Sequence, residues 1–208
     1  MEIGPGTGNL TKYIIDAGAK VLAIEKDKNL SRMLISNFQF PISKKVLNVI
    51  NEDILKFDEM LIERPYRIIA NIPYYLTGQL IQKFLFSKNK PAEIILMVQK
   101  EVGERITAQP PKMNYMAALI QSGSRVKTFF YVKKDNFWPK PKVDSAIISI
   151  IPQKTAVSDK FIEFLKTVFR QPRQTLFNNL RKAGQMEKEK IEKAFTKLEL
   201  ERNIRAQE

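Results

Sequence analysis

Neither cysteine nor histidine occurs among the 208 residues. The first absence removes disulfides and thiolate metal ligands. The second removes the commonest general base and the commonest metal ligand. Any chemistry must therefore run on neutral polar groups, carboxylates or a bound cofactor, and no metal is expected. There is no apolar run of membrane-spanning length and no signal-peptide pattern, which points to a soluble, cytoplasmic protein without a membrane partner.

Hydrophobic residues make up 44% of the chain, enough to bury the core of one sizeable domain plus a small appendage. The net charge is +13, unevenly placed: residues 1–80 hold 10 basic and 9 acidic side chains, and residues 81–208 hold 25 and 13. A neutral front and a basic rear suggest a small-ligand module joined to a surface for a polyanion. The plainer alternative is a soluble basic protein with no such partner.

The most informative stretch is Asn71-Ile72-Pro73-Tyr74-Tyr75. It follows a short apolar strand, 67–70, and precedes a helical pattern ending near Phe86, so it reads as a strand tip of the kind where open α/β sheets bind ligands. Proline offers no N–H, which leaves nearby carbonyls free to accept. Asn71 adds a side-chain acceptor, and Tyr74 adds a flat face for a base. An exocyclic amine on a purine is a poor nucleophile because its lone pair is delocalised into the ring. Two acceptors on its hydrogens would favour the pyramidal, reactive form. The same residues also suit a mere strand-to-helix turn.

Upstream, Glu2-Ile3-Gly4-Pro5-Gly6-Thr7-Gly8 predicts a tight loop between strand and helix, serving either a ligand or the turn itself. Its GxGxG spacing is not the GxGxxG of dinucleotide folds. Val21–Glu25 reads as a second strand whose tip, Glu25, lies 17 residues after Gly8, near the separation at which a carboxylate reaches ribose hydroxyls. A solvated strand-end glutamate is the alternative. A helix follows over 28–38, then a strand over 46–50 with Asp53 beyond its end, able to accept from an adenine amine. Asp58 and Glu59 are expected to face solvent. The βαβ succession implies a mostly parallel sheet with its ligand residues along one edge.

Further strands are expected at 92–99, 125–132 and 145–151, the last two antiparallel. Between those two, Asn136-Phe137-Trp138-Pro139-Lys140-Pro141-Lys142-Val143-Asp144-Ser145 combines rigidity, aromatics and lysines, fitting a loop that faces nucleic acid or a packed hairpin connection. A linker is expected over 152–158, then helices near 159–170, 173–183 and 187–198. Phe161, Phe164, Leu165 and Val168 are the expected core of the first. Arg170, Arg173, Arg181 and Lys182 form either a solvated face or a phosphate-binding one.

These motifs in this order resemble the KsgA-type ribosomal RNA adenine dimethyltransferases, with the Erm methyltransferases as relatives. The likeness rests on the glycine loop, on Asn71-Ile72-Pro73-Tyr74, on Gln99-Lys100-Glu101-Val102 and on the 137–145 loop. It implies an α/β fold: a Rossmann-like class I methyltransferase sheet over residues 1–152, and a small all-helical RNA-binding domain over 153–208. It further implies S-adenosyl-L-methionine (SAM) as cofactor, held by Glu2, Gly4, Gly6, Gly8, Glu25, Asp53 and Asn71. Asn71 and the Ile72 carbonyl would hold the target amine beside Pro73, with Tyr74 and Phe137 sandwiching the flipped base. The implied partner is small-subunit rRNA, gripped through Lys100, Arg105, Lys140, Lys142, Arg170, Arg173, Arg181 and Lys182 by a monomer.

The family carries a further N-terminal segment and a full first strand. Glu2-Ile3-Gly4 directly after Met1 therefore predicts a truncated chain with neighbouring strands short of a partner. Pro172 and Gln174 stand where relatives are often basic, and relatives commonly continue past Glu208, which predicts a weaker RNA grip. Two alternatives remain: a non-catalytic RNA-binding or ribosome-assembly factor of the same fold, and an Erm-type large-subunit enzyme. DNA adenine methyltransferases commonly place Asp or Asn before Pro-Pro-Tyr, unlike this chain.

Overall fold

Short, branched, apolar runs dictate the centre of the molecule. In the computed structural model, which describes residues 1–153, 157–184 and 186–208 and leaves out the side chain of Tyr74, they form seven strands. These are β1 (Glu2–Ile3), β2 (Val21–Glu25), β3 (Leu47–Asn51), β4 (Arg67–Ala70), β5 (Glu93–Gln99), β6 (Ser124–Val132) and β7 (Ser145–Pro152). They make one sheet in the order β3-β2-β1-β4-β5-β7-β6. The first five run parallel, and β7 inserts antiparallel between β5 and β6. Of the parallel strands, β2, β4 and β5 carry apolar residues on both faces, as strands covered on two sides must.

The chain divides into two compact units. One comprises Met1–Gly103 and Ser124–Pro152, the other Glu104–Gly123 and Gln153–Glu208. Residues 104–123 thus group with the rear of the chain, and 124–152 with the front. Of the linker read at 152–158, residues 154–156 lie outside the described residues.

In the first unit, helices α1 (Asn9–Asp16), α2 (Lys28–Asn37), α3 (Gln39–Ser43), α4 (Thr77–Phe86) and most of α5 (Lys100–Ile106) accompany the sheet. On α4, Leu80, Ile81, Phe84 and Leu85 have no exposed surface, two pairs at i,i+4 spacing. Each such side chain contributes about 1.5–3 kcal/mol by leaving water. A second cluster joins Val21, Ala23 and Leu47 of the sheet to Leu34 and Phe38. Though only two residues long, β1 bonds on both sides: Ile3 is in register with Ile24 and with Ala70, and the Met1 carbonyl accepts the Ile69 N–H at 3.0 Å.

The second unit is helical, with α6 (Tyr115–Gly123), α7 (Asp159–Val168), α8 (Leu176–Ala183) and α9 (Lys188–Lys197). Its small core holds Phe177, Ile191 and Phe195, with Phe177 and Phe195 edge to face at 5.5 Å. Helix α8 begins later than its periodicity suggests because the Thr175 side chain caps it at Asn178. Leu165 and Val168 are buried as expected, but Phe161 and Phe164 are not core: they stack on each other, half-exposed, along the open flank of α7. Among the described residues no helix is long and apolar enough to cross a membrane.

The connection from β3 to β4 depends on Asn89, which is buried. Its amide donates to the Glu59 and Ile62 carbonyls at 2.6 and 2.9 Å, its side-chain oxygen accepts from Arg64, and its backbone carbonyl accepts from the Tyr66 hydroxyl. Burial, aided by the Glu59 carboxylate, pushes the Tyr66 phenol up to about 12, so it stays a donor. Glu59 is not solvent-facing as the sequence suggests. It pairs at 3.0 Å with Lys83, which also donates to the Phe57 carbonyl at 2.7 Å. Asn89→Ala is expected to cost roughly 2–4 kcal/mol, because it leaves carbonyls unpaired in a dry site. A lower urea midpoint at unchanged m-value would register the loss; a shift below about 0.5 kcal/mol would mean that apolar neighbours alone hold the connection.

Candidate active site

Parallel pairing brings the ends of β1, β2, β3 and β4 to one edge. Ile3 lies level with Ile24 and Ala70, and Glu25 with Asn51, so the glycine loop, Glu25, Asp53 and the Asn71 tip all leave the sheet there. The loop is left-handed at Gly4, Gly6 and Gly8, with φ of 64°, 60° and 93°. Each glycine has its own reason. A Cβ on Gly4 would lie 3.6 Å from Ile72 Cγ2 and 4.0 Å from the Asn71 carbonyl oxygen, so two motifs 67 residues apart touch here. A Cβ on Gly8 would meet the Phe38 ring at 2.4 Å and Leu34 at 2.7 Å, so Gly8 serves the packing of α2. A Cβ on Gly6 would meet nothing within 4 Å, which leaves its surface to a ligand.

Carboxylates hold the loop in place. The buried Glu25 accepts the Gly6 N–H at 3.1 Å on one oxygen and the Asp27 N–H at 2.9 Å on the other. Asp27 in turn caps α2, accepting from Asn29 and Leu30 at 2.7 and 3.0 Å. The Asn51 amide donates to the Glu25 carbonyl at 2.8 Å. A carboxylate offers about four acceptor positions, so Glu25 keeps capacity for hydroxyls beyond these two bonds. Glu2 is buried in mid-sheet and accepts the Thr11 hydroxyl at 2.7 Å, which ties the residue before the loop to the helix after it. Burial raises the Glu2 carboxyl above its usual range, partly opposed by the Thr11 bond.

Asp53 is not a free acceptor. One oxygen pairs with Lys26 Nζ at 2.9 Å, and the other takes the Leu55 N–H at 3.0 Å. The Lys26 bond leads the causes that hold its carboxyl below the ordinary value. Lys26 is raised chiefly by its bond to Asp53. The pair is solvent-facing and therefore weak, so a ligand amine can compete for it.

At the tip, Ile72 is buried while Asn71 and Pro73 are exposed. The Pro73 carbonyl, expected to be free, accepts the Leu76 N–H at 3.0 Å in the turn that leads into α4. Behind it, the buried Thr77 hydroxyl has no partner among the described residues. The ring of Tyr74 lies outside the described residues.

Ser145 opens β7 opposite Gln99, the last residue of β5, so the loop bearing Phe137 starts and ends at this same edge. Asp144 fixes that loop: its carbonyl accepts the Lys100 N–H at 2.9 Å and its carboxylate the Lys134 N–H at 3.0 Å. Phe137 is half-buried. Lys140 is tied to Asp135 within the loop. Lys100, Arg105, Lys142, Arg170, Arg173, Arg181 and Lys182 are exposed: Lys142 on the loop, Lys100 at the start of α5 beside it, Arg105 later in α5, and the last four in the helical unit. Sequence reasoning missed Thr11, Lys26 and Asn51 as parts of the site. The only signal for them is a polar residue at the edge of an apolar run, which many solvated positions share.

The residues present fit an adenosyl cofactor: open space over Gly6, a carboxylate with spare acceptor positions at Glu25 and a partly exposed carboxylate at Asp53.

Residues 1–207 match the ribosomal RNA adenine dimethylase family. A relative named ribosomal RNA small subunit methyltransferase A, from Malacoplasma penetrans, is 38% identical over 204 residues, which are 95% of this chain and 72% of the relative. One of the same name from Fusobacterium nucleatum is 35% identical over 215 residues, covering all of this chain and 80% of its own. Among solved structures, a dimethyladenosine transferase from Plasmodium falciparum superposes with a TM-score of 0.73 at 27% identity, over 86% of this chain and 65% of its own. The 23S rRNA methyltransferase ErmE shares the fold, with a TM-score of 0.74 at 20% identity over 97% and 82%. With a sheet of class I methyltransferase type and the motifs at its carboxyl edge, the chain belongs to the ribosomal RNA adenine dimethylase family.

Proposed function

We propose that this protein transfers methyl groups from SAM to the exocyclic amine of adenosines in small-subunit rRNA, giving dimethyladenosine, and that it works as a cytoplasmic monomer during ribosome assembly. The observation that carries this reading is the approach of Gly4 to Asn71 and Ile72, which sets a nucleoside-binding loop against an amide-bearing tip. The names of the relatives support the choice of adenosine and of the small subunit.

When bound, SAM supplies an electrophilic methyl group on a sulfonium with a neutral leaving group. Glu25 would hold the ribose hydroxyls with its remaining acceptor positions, the loop at Gly4 and Gly6 would back the cofactor, and Asp53 would accept from the cofactor's adenine amine. Asn71 Oδ1 and the Ile72 carbonyl accept the two hydrogens of the target amine, drawing its lone pair out of conjugation. Tyr74 and Phe137 stack on the flipped base, whose extrusion costs a few kcal/mol. Positioning and exclusion of water supply the acceleration. Residues 153–208, with Arg170, Arg173, Arg181 and Lys182, grip the phosphate backbone.

Three outcomes test this. Asn71→Ala should lower incorporation of labelled methyl into unmethylated small subunits about a hundredfold, since orientation of the amine is lost; RNA bound without any incorporation by the parent chain would instead mark a non-catalytic factor. Glu25→Ala should weaken SAM in calorimetric titration about tenfold or more while RNA affinity stays nearly intact. Equal SAM affinity would end the ribose assignment. RNA affinity should drop steeply between low and moderate salt, because the charge excess lies after residue 80; a flat response would rule out an interface dominated by phosphates.

A further inference from the structure

Strand β6 is the outer strand of the sheet and, among the described residues, pairs only with β7. An edge of nine residues is normally blunted by charge or kept short. This one instead carries Phe129, Phe130 and Tyr131 in succession, 43%, 58% and 52% exposed. A register shift between Thr128 and Phe130 breaks the inward–outward alternation, which lets neighbouring rings all reach solvent. Cations accompany the rings: Lys127 Nζ stands 4.7 Å from the Phe129 centroid and Lys100 Nζ 5.4 Å from that of Tyr131. From Ser124 to Lys134 there is no acidic residue, while Arg125, Lys127, Lys133 and Lys134 are basic. The first carboxylate beyond, Asp135, is occupied by Lys140. The chain then runs directly into the loop with Phe137 and Trp138, the latter 98% exposed.

We infer that β6 and the loop after it form a stacking track for the single-stranded RNA flanking the target adenosine. This deepens the reading of the site as adenosine-modifying and rests on it. Aromatic faces interleaved with lysines are the chemistry that binds unpaired bases with their phosphates. At roughly 3.3 Å per residue the strand spans roughly 30 Å, room for several bases in a row. An added protein strand would also use the edge, but it would not call for a row of cations without a single anion.

The test uses the full chain and a fluorescein-labelled single-stranded oligoadenylate of about ten nucleotides, read by anisotropy. The double variant Phe130→Ala/Tyr131→Ala should bind about tenfold or more weakly, by the same factor at low and high salt, because stacking is not screened. Lys127→Ala should mainly flatten the salt dependence. Phe130→Tyr/Tyr131→Phe should keep parental affinity. Phe130→Leu/Tyr131→Leu, apolar and suited to a strand, should lose it, and this pair decides the matter if the alanine variant melts early. Parental affinity in the leucine pair would overturn the track and favour an apolar protein partner. If the track fails while Asn71→Ala still abolishes methyl transfer, the site reading stands alone. If ring removal weakens binding while Asn71→Ala transfers normally, the track stands and the site reading falls.

Discussion

The candidate site depends on one buried carboxylate. Glu25 accepts a backbone N–H from the glycine loop and another from the turn that starts α2, bonding two segments that the sheet alone does not join. Bonds to a charged acceptor contribute about 1.5–3 kcal/mol each, against about 1 kcal/mol for neutral pairs. Because Asp27 caps the same helix, the negative charge sits near the positive end of the α2 dipole, which offsets part of the cost of burial. The loop can then be left-handed at three positions and still be held: Gly6 by Glu25, Gly8 by its bond to the Pro5 carbonyl, and Gly4 by its bond to the Ile24 carbonyl.

The second constraint is where β1 lies. Two residues suffice to set the register of β2 against β4, because each pairs on both sides in mid-sheet. That register brings Asn71-Ile72 beside Gly4, within van der Waals reach of a single added carbon. Any side chain at Gly4 would be strained by its φ before it met Ile72. The same short strand carries Glu2, whose bond to Thr11 closes the base of the loop from beneath. The loop is thus held from two directions by carboxylates, and the surface at Gly6 is the one left open.

The parts legible in the sequence were those set by local pattern. Branched apolar runs alternating with helical spacing gave a parallel sheet, and a chain emerging from each strand end gave one edge for Gly4, Glu25, Asp53 and Asn71. Partner choice was not legible. That Lys26 would sit on Asp53, or that Asn51 would brace the Glu25 carbonyl, depends on residues 25 or more positions apart meeting across a fold. Glu59 looked like a surface charge because Lys83, its partner, lies on a different element. Phe161 and Phe164 have the spacing of core residues, but helical spacing defines a stripe and does not say how wide the covering neighbour is. The Pro73 carbonyl was spent on a 3₁₀ turn that the Pro-Tyr-Tyr-Leu sequence does not announce.

A chain without histidine is not at a disadvantage for the proposed reaction. The amine attacks with a lone pair and needs no prior deprotonation; what it needs is that lone pair freed from the ring. Neutral acceptors suffice for this, and unlike a carboxylate base they carry no full charge that must be taken out of water. The carboxylates near the site are already committed: Glu2 to Thr11, Glu25 to two amides, Asp53 to Lys26. After the new N–C bond forms, the nitrogen is a strong acid and sheds its proton to water without assistance. The demand on the protein is therefore geometric, a base held flat with its amine aimed. Rings that stack on the base and neutral carbonyls that accept from its amine would meet that demand without calling on any of those carboxylates as a base.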